Sequence, residues 1–163
     1  MSHGSPLARI EPKAVIANPA NFFALGAGFG LAPKAPGTFG TLLGIPLLFM
    51  MPQSTVAFLA VIVLMFAFGV WCCHQCANDL GVHDHPGIVW DEVVGYLLAM
   101  VAMPRTALWV VAGFVVFRFF DIIKPWPIGW VDKRIHGGLG IMLDDILAAL
   151  FAAMVLQVAI RLI

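Results

Sequence analysis

Residues 35–78 read APGTFGTLLGIPLLFMMPQSTVAFLAVIVLMFAFGVWCCHQCAN, and this stretch contains no Asp, Glu, Lys or Arg. As one helix it would be about twice as long as the hydrocarbon core of a bilayer is thick, because an α-helix rises about 1.5 Å per residue. The chain must therefore fold back on itself, and the Pro-containing sequence Met51–Ser54 is the expected turn. The stretch predicts two antiparallel apolar helices, Phe39–Met51 and Thr55–His74.

The rest of the chain extends this pattern to five apolar segments. The three further segments are Asp91–Met103, Thr106–Lys124 and Ile146–Ile160. Several of the five are shorter than the roughly 20 residues of a full membrane span, which indicates helices that are short, tilted or re-entrant. We therefore predict an all-α integral membrane helical bundle. Residues 18–163 would form a single membrane-embedded domain, and residues 1–17 would form an N-terminal cytoplasmic tail.

The composition favours lipid over nucleic acid as a partner. Hydrophobic residues make up 61% of the chain and charged residues 11%, whereas an ordinary soluble domain has about 25% charged residues. Nine Lys and Arg residues balance nine Asp and Glu residues, so the chain has no cationic surplus with which to bind a polyanion. We expect membrane lipids and no nucleic acid as partners. The composition leaves open whether the chain forms a homo-oligomer.

Alternating helices would place three polar segments, residues 1–40, 78–90 and 118–145, on one face of the membrane. Seven of the nine basic residues lie in these segments, with Arg105 and Arg161 on the opposite face. Cytoplasmic loops of membrane proteins carry an excess of Lys and Arg. The polar loops are therefore expected to converge on the cytoplasmic face.

Acidic residues are concentrated in the same polar segments. Eight of the nine lie between Asp79 and Asp145, although carboxylates at a membrane interface cost free energy unless they are paired or ligated. Two adjacent pairs, Asp91–Glu92 and Asp144–Asp145, are expected at helix N-termini, where the helix dipole favours negative charge. Capping alone would explain one acid per helix, whereas oxygen ligands without a Cys/His set suit a hard cation such as Mg²⁺. We predict that some of these four residues bind metal.

Arg118, Asp121 and Lys124 recur every three residues and would share roughly one helix face. In a soluble helix such a set is often only a solvated ion-pair face. Beside an acidic metal site, however, the planar Arg fork and the Lys point charge suit phosphate recognition.

The loops contain further candidates. Thr38 follows Pro36–Gly37 at a predicted helix start, where free N–H groups and the hydroxyl could hold a phosphate, although close helix packing is the commoner use of glycine there. His83, His85 and His136 lie in the polar loops. A lone loop histidine is usually just solvated, but one beside clustered carboxylates could protonate a leaving alkoxide or accept a proton from water.

Taken together, these segments resemble the phosphatidylglycerophosphatase A family from about Asn18 to the last helix. The resemblance implies a bacterial inner-membrane, Mg²⁺-dependent phosphatase that converts phosphatidylglycerophosphate to phosphatidylglycerol. The segments that carry it are Phe29–Leu31 to Pro36–Thr38, His83–His85 to Ile88–Glu92, Arg118–Asp121, Lys124–Ile128, His136–Gly138 and Gly140–Asp145. It carries over to Asp91, Glu92, Arg118, Asp121, Lys124, His136, Asp144 and Asp145, and more loosely to Thr38, His83, Asp84 and His85.

On this hypothesis the metal ligands come from Asp91, Glu92, Asp144 and Asp145, which hold one or two Mg²⁺ ions. Substrate phosphate is bound by Arg118, Lys124, Thr38 and His83. The catalytic residues are Asp121, His85 and His136, with one of the two histidines assisting the leaving glycerol oxygen. Water and an aspartate both remain open as the nucleophile.

Two other classes of function compete with this hypothesis. One is a small cation channel or transporter lined by the acidic residues, and the other is a non-catalytic lipid-binding subunit. Release of inorganic phosphate from a phosphomonoester lipid, measured with and without Mg²⁺, discriminates among the three. The separation between Asp91 and Asp145 tests the shared metal site, because carboxylate oxygens about 4 to 5 Å apart could share one cation.

Overall fold

The computed structural model describes residues 10–82 and 85–162, and every regular element within these ranges is helical. Two short helices, α1 (Pro12–Val15) and α2 (Pro19–Ala24), precede a 3-10 helix at Gly26–Leu31. The chain continues through α3 (Pro36–Met50), α4 (Thr55–Leu80), α5 (Trp90–Ala99), α6 (Ala107–Ile123), the short α7 (Ile128–Asp132) and α8 (Gly137–Leu162). The all-α prediction is confirmed for the described residues, and α3, α4, α5, α6 and α8 correspond to the five predicted segments.

Two of these helices, α4 and α8, are long and apolar enough to cross a membrane. In contrast, α3 has 15 residues and α5 has 10, so both are shorter than a full span of roughly 20 residues. Large apolar side chains such as Leu64 on α4 and Val158 on α8 are exposed on the outside of the bundle. This surface is the kind that a lipid environment would cover.

Several predicted helix boundaries were wrong. Helix α3 begins at Pro36 rather than at Phe39, and α5 ends at Ala99 rather than at Met103. Helix α4 continues to Leu80 rather than ending at His74, and α8 begins at Gly137 rather than at Ile146. The hydropathy pattern marked only the most apolar part of α8 and missed its glycine-rich start, which packs tightly. A Cβ atom added at Gly138 would lie 1.9 Å from the Val70 carbonyl oxygen of α4.

The early start of α8 also corrects the expected position of one acidic pair. Asp91 and Glu92 do lie in the first turn of α5, as predicted. Asp144 and Asp145, by contrast, lie about two turns inside α8. The dipole effect is confined to the first and last turns of a helix, so it does not explain this second pair.

Helix α5 occupies the centre of the bundle, and all its residues from Val93 to Ala99 are buried. It approaches α6 and α8 closely at Gly95, where an added Cβ would lie 2.6 Å from the Phe117 ring and 3.2 Å from the Asp145 carbonyl oxygen.

Arg105, which precedes α6, joins two loops at one end of the bundle. Its guanidinium donates hydrogen bonds to the carbonyl oxygens of Met51 at 2.9 Å and Pro52 at 2.8 Å. The turn between α3 and α4 therefore lies beside the loop between α5 and α6. It follows that α3, α5 and α8 all begin at the other end, where α4 and α6 finish.

Candidate active site

A cavity of about 240 Å³ lies at the end of the bundle where α3, α5 and α8 begin. Its lining contains most of the residues singled out from the sequence: the acids Asp91, Glu92, Asp121, Asp144 and Asp145, and the cations Arg118 and Lys124. Residues 35–37, together with Pro86 and Ile88, complete the wall. Five carboxylates thus face two cationic side chains, and the surplus of negative charge favours a cationic ligand.

Three of the carboxylates converge on one point. Asp91, Glu92 and Asp145 each offer one oxygen, and these oxygens lie within 4.8 Å of one another. Glu92 Oε2 and Asp145 Oδ2 are buried without a hydrogen-bond partner in the described part of the chain, which is costly for a carboxylate. Two oxygens that bind one Mg²⁺ at about 2.1 Å each lie at most about 4.2 Å apart, so the trio needs side-chain shifts of no more than about 0.6 Å to share one ion. The residues present therefore fit Mg²⁺.

Arg118 on α6 contacts the acidic trio formed by Asp91, Glu92 and Asp145. Its Nη1 atom lies 3.6 Å from Glu92 Oε1 and forms a close ion pair with Asp121, three residues along the same helix. Both acids and the guanidinium are largely buried. An Arg fork held between two carboxylates has a defined orientation and keeps further N–H donors for a ligand.

The first turn of α3 lies directly over this ion pair, at Gly37. An added Cβ at this position would lie 2.1 Å from Glu92 Oε1 and 3.0 Å from Arg118 Nη1. Only glycine fits there without moving the charged groups. Glycine in this segment was considered for phosphate binding and for close helix packing, and the geometry supports close packing. The groups that pack against Gly37 are the charged side chains of the site.

Lys124 is held from two sides at the end of α6. Its Nζ atom donates a hydrogen bond to Asp132 Oδ1 at 2.8 Å and forms a close ion pair with Asp144 Oδ2. Partial burial disfavours the charged ammonium, but Asp144 and Asp132 outweigh this effect and raise the pKa of Lys124 above its usual value. Lys124 is therefore a permanent cation at neutral pH.

This contact also separates the two adjacent acids of α8. Successive residues on an α-helix point about 100° apart, so Asp145 faces the acidic trio while Asp144 faces Lys124.

Asp132 was not among the residues singled out from the sequence. Its position between Val131 and Lys133 carries no pattern that would have marked it, since its partner lies eight residues away.

Of the predicted phosphate-binding residues, Thr38 is not part of the cavity lining. Thr38 follows Gly37 on α3, and its own N–H already donates to the Ala35 carbonyl oxygen at 2.9 Å. His83, like Asp84, lies outside the described residues.

The two predicted catalytic histidines also lie outside the cavity lining, and their rings favour different tautomers. His85 Nδ1 accepts a hydrogen bond from the Gly87 N–H at 3.0 Å, so the proton of the neutral ring resides on Nε2. His136 is exposed, and its Nδ1 lies 3.1 Å from the Arg134 carbonyl oxygen. A carbonyl oxygen can only accept, so Nδ1 is the donor in this contact.

Comparison with known proteins matches this arrangement to one family. The model of the family described as phosphatidylglycerophosphatase A matches residues 22–160. A phosphatidylglycerophosphatase A from Escherichia coli (strain K12) is 46% identical over 143 residues, which cover 86% of this chain and 83% of that protein. A phosphatidylglycerophosphatase A from Haemophilus influenzae is 42% identical over 160 residues, which cover 95% of this chain and 94% of that protein.

No solved structure matches the chain. The family match includes every helix that contributes a side chain to the cavity, and both relatives are similar over most of their own length. The chain therefore belongs to the phosphatidylglycerophosphatase A family and is a phosphoric monoester hydrolase of phospholipid metabolism.

Proposed function

We propose that this protein removes the terminal phosphate of phosphatidylglycerophosphate in a Mg²⁺-dependent hydrolysis that releases phosphatidylglycerol and inorganic phosphate. The observation that carries the proposal is the convergence of Asp91, Glu92 and Asp145 within 4.8 Å, in a cavity that Arg118 and Lys124 also line. A cation site beside two phosphate-binding side chains suits a phosphomonoester. Membership of the family supports the choice of lipid.

We place the reaction at the cytoplasmic face of a bacterial inner membrane, with the bundle crossing the membrane several times. Two apolar helices of sufficient length and the exposed apolar side chains of the bundle support the membrane location. The excess of basic residues in the polar segments around the cavity supports the orientation.

The size of the cavity limits how much of the lipid it takes. At about 240 Å³ it is smaller than the pockets of roughly 300–1,000 Å³ that enclose whole drug-sized ligands. The phosphate end of the headgroup would therefore enter, while the acyl chains stay in the bilayer. This division suits a cavity at the end of the helices.

Asp91, Glu92 and Asp145 would hold Mg²⁺. When bound, this ion neutralises charge on the phosphoryl oxygens and makes water more acidic. Asp144 was included in the ligand set inferred from the sequence, but its ion pair with Lys124 favours a role in holding that cation. Arg118 and Lys124 would bind the oxygens of the same phosphoryl group.

In the proposed reaction the oxygen of water attacks phosphorus, and the bond between phosphorus and the glycerol oxygen breaks with its electron pair on the glycerol oxygen. Asp121 would accept the proton that water loses. Of the two histidines, we assign protonation of the leaving oxygen to His85, because the adjacent Pro86 lines the cavity. Thr38 and His83 remain proposed phosphate ligands.

The test is release of inorganic phosphate from phosphatidylglycerophosphate by the full-length protein in detergent. We expect turnover that stops on chelation and returns with Mg²⁺. Asp145→Asn should lower kcat by at least about 100-fold, since losing even an outer-shell partner of a metal costs about 10- to 100-fold. Asp79→Asn is the matched control, because Asp79 is exposed and pairs with Asn18 away from the cavity.

Chelator-resistant turnover, or full activity of the folded Asp145→Asn protein, would contradict the metal assignment. Cation flux through proteoliposomes without phosphate release would support a channel or transporter instead.

A further inference from the structure

Lys124 makes more carboxylate contacts than phosphate binding in the proposed reaction requires. Its ammonium is shared between two carboxylates from different helices, Asp132 at the end of α7 and Asp144 within α8. Asp144 lines the cavity with Lys124, whereas Asp132 does not. The Asp132 side chain is also more exposed, at 32% against 8% for Asp144. Asp132 therefore holds the ammonium from the rim and Asp144 holds it from within.

The number of N–H donors on the ammonium determines how many remain for a ligand once these two contacts are made. A Lys ammonium has three N–H donors and no acceptor. One donor goes to Asp132 and one goes to Asp144, so a single donor is left for a phosphate oxygen. With both carboxylates in place, the direction of that last donor is fixed.

We propose that Asp132 is a positioning residue, which fixes the ammonium of Lys124 for the phosphate of the substrate. The inference rests on the proposed function, because it assigns Lys124 to phosphate binding. Asp132 also balances the attraction of the ammonium to Asp144. Without Asp132, Asp144 would draw the ammonium toward the side of the cavity where the carboxylates are concentrated.

A purely structural role for Asp132 is the competing explanation, and the packing of α7 argues against it. Ile128 and Val131 of this five-residue helix are buried, at 0% and 7% exposure. These apolar contacts attach α7 to the bundle without any contribution from Asp132. The ion pair is therefore not needed to anchor α7, which leaves its effect on Lys124 as its main consequence.

The experiment is a double-mutant cycle on the full-length protein in detergent. Steady-state KM and kcat for phosphatidylglycerophosphate are measured for wild type, Asp132→Asn, Lys124→Ala and the double variant. A partly exposed ion pair contributes up to about 1 kcal/mol, which corresponds to about a fivefold change in an equilibrium constant. We expect Asp132→Asn to raise KM about fivefold, to change kcat by less than about twofold, and to have no further effect once Lys124 is absent.

Three further measurements separate positioning from loss of fold. Asp132→Glu should restore much of the wild-type KM, since it returns a carboxylate to the same ammonium. The Mg²⁺ concentration for half-maximal activity should not change in Asp132→Asn, because Lys124 contacts none of the three trio carboxylates. Asp79→Asn serves as the control and should match wild type in KM. Where Lys124→Ala turns over too slowly, the dissociation constant of inorganic phosphate, measured by calorimetry, completes the cycle.

An unchanged KM in Asp132→Asn would overturn the inference. So would an equal rise of KM in the Lys124→Ala background, or a loss of kcat that accompanies a lower thermal unfolding temperature. A wild-type protein that releases no phosphate would instead reject the proposed function, and the calorimetric cycle would still report whether Asp132 acts through Lys124.

Discussion

Replacing Gly37 with Ala tests how closely α3 is fitted to the site. The new Cβ would lie 2.1 Å from Glu92 Oε1, whereas ordinary contact begins at 3.4 Å, so this oxygen must retreat by about 1.3 Å. A displacement of about 1 Å at a catalytic group can cost about 100-fold in rate. We therefore expect kcat/KM of Gly37→Ala to fall about 100-fold and its Mg²⁺ requirement to rise.

The fold should survive this change. The atom that must move is the far end of a flexible side chain, and alanine is favoured over glycine in a helix by up to about 1 kcal/mol. The thermal unfolding temperature in detergent should therefore not fall. The assay is phosphate release as a function of substrate and Mg²⁺ concentration, with unfolding followed by circular dichroism.

Gly44→Ala is the matched control, because it makes the same substitution two turns further along α3. There the added Cβ would lie 2.8 Å from the buried ring of Tyr96. Overpacking of this kind costs about 1–3 kcal/mol, so Gly44→Ala should unfold at a lower temperature with a near-normal Mg²⁺ requirement. A Gly37→Ala protein that keeps kcat/KM within twofold of wild type would show that α3 is not closely fitted to the site.

Three further changes separate the site from the scaffold. Arg118→Lys should lower kcat/KM by about tenfold or more, because a point charge cannot replace the planar fork; wild-type kinetics in this variant would remove Arg118 from phosphate binding. Tyr96→Phe loses the buried hydrogen bond to the Val110 carbonyl oxygen and should destabilise the protein by about 1 kcal/mol, measured by thermal unfolding, with kcat unchanged. Gly138→Ala would place a Cβ 1.9 Å from the Val70 carbonyl oxygen and should lower the unfolding temperature sharply, since backbone must move; an unaltered melting curve would show that α8 and α4 can separate without cost.

The charged residues of the site were identifiable before their geometry was known. In a chain with few charges, carboxylates placed next to apolar segments are costly unless they are used, which singled out the pairs Asp91–Glu92 and Asp144–Asp145. Arg118 was singled out by its regular spacing with Asp121 and Lys124. The structure brings three of the four carboxylates predicted to bind metal within 4.8 Å of one another.

The roles of Gly37 and Asp132 could not be predicted from the sequence in this way. The cost of a Cβ at Gly37 depends on Glu92, which belongs to another helix, and the importance of Asp132 depends on the conformation of Lys124. The start of α8 was missed for a related reason. Its glycines have the composition of a loop, and they form a helix there because α4 packs tightly against them.

Hydropathy and charge are properties of each residue wherever it lies in the chain. The pattern of amino acids alone is therefore enough for the all-helical class, the number of apolar segments and the identity of the charged groups. The pairing of those groups is a different matter. Whether Asp144 or Asp145 joins the acidic trio depends on the rotation of α8 about its axis. That rotation is set by contacts with helices distant in the chain, which local pattern does not encode.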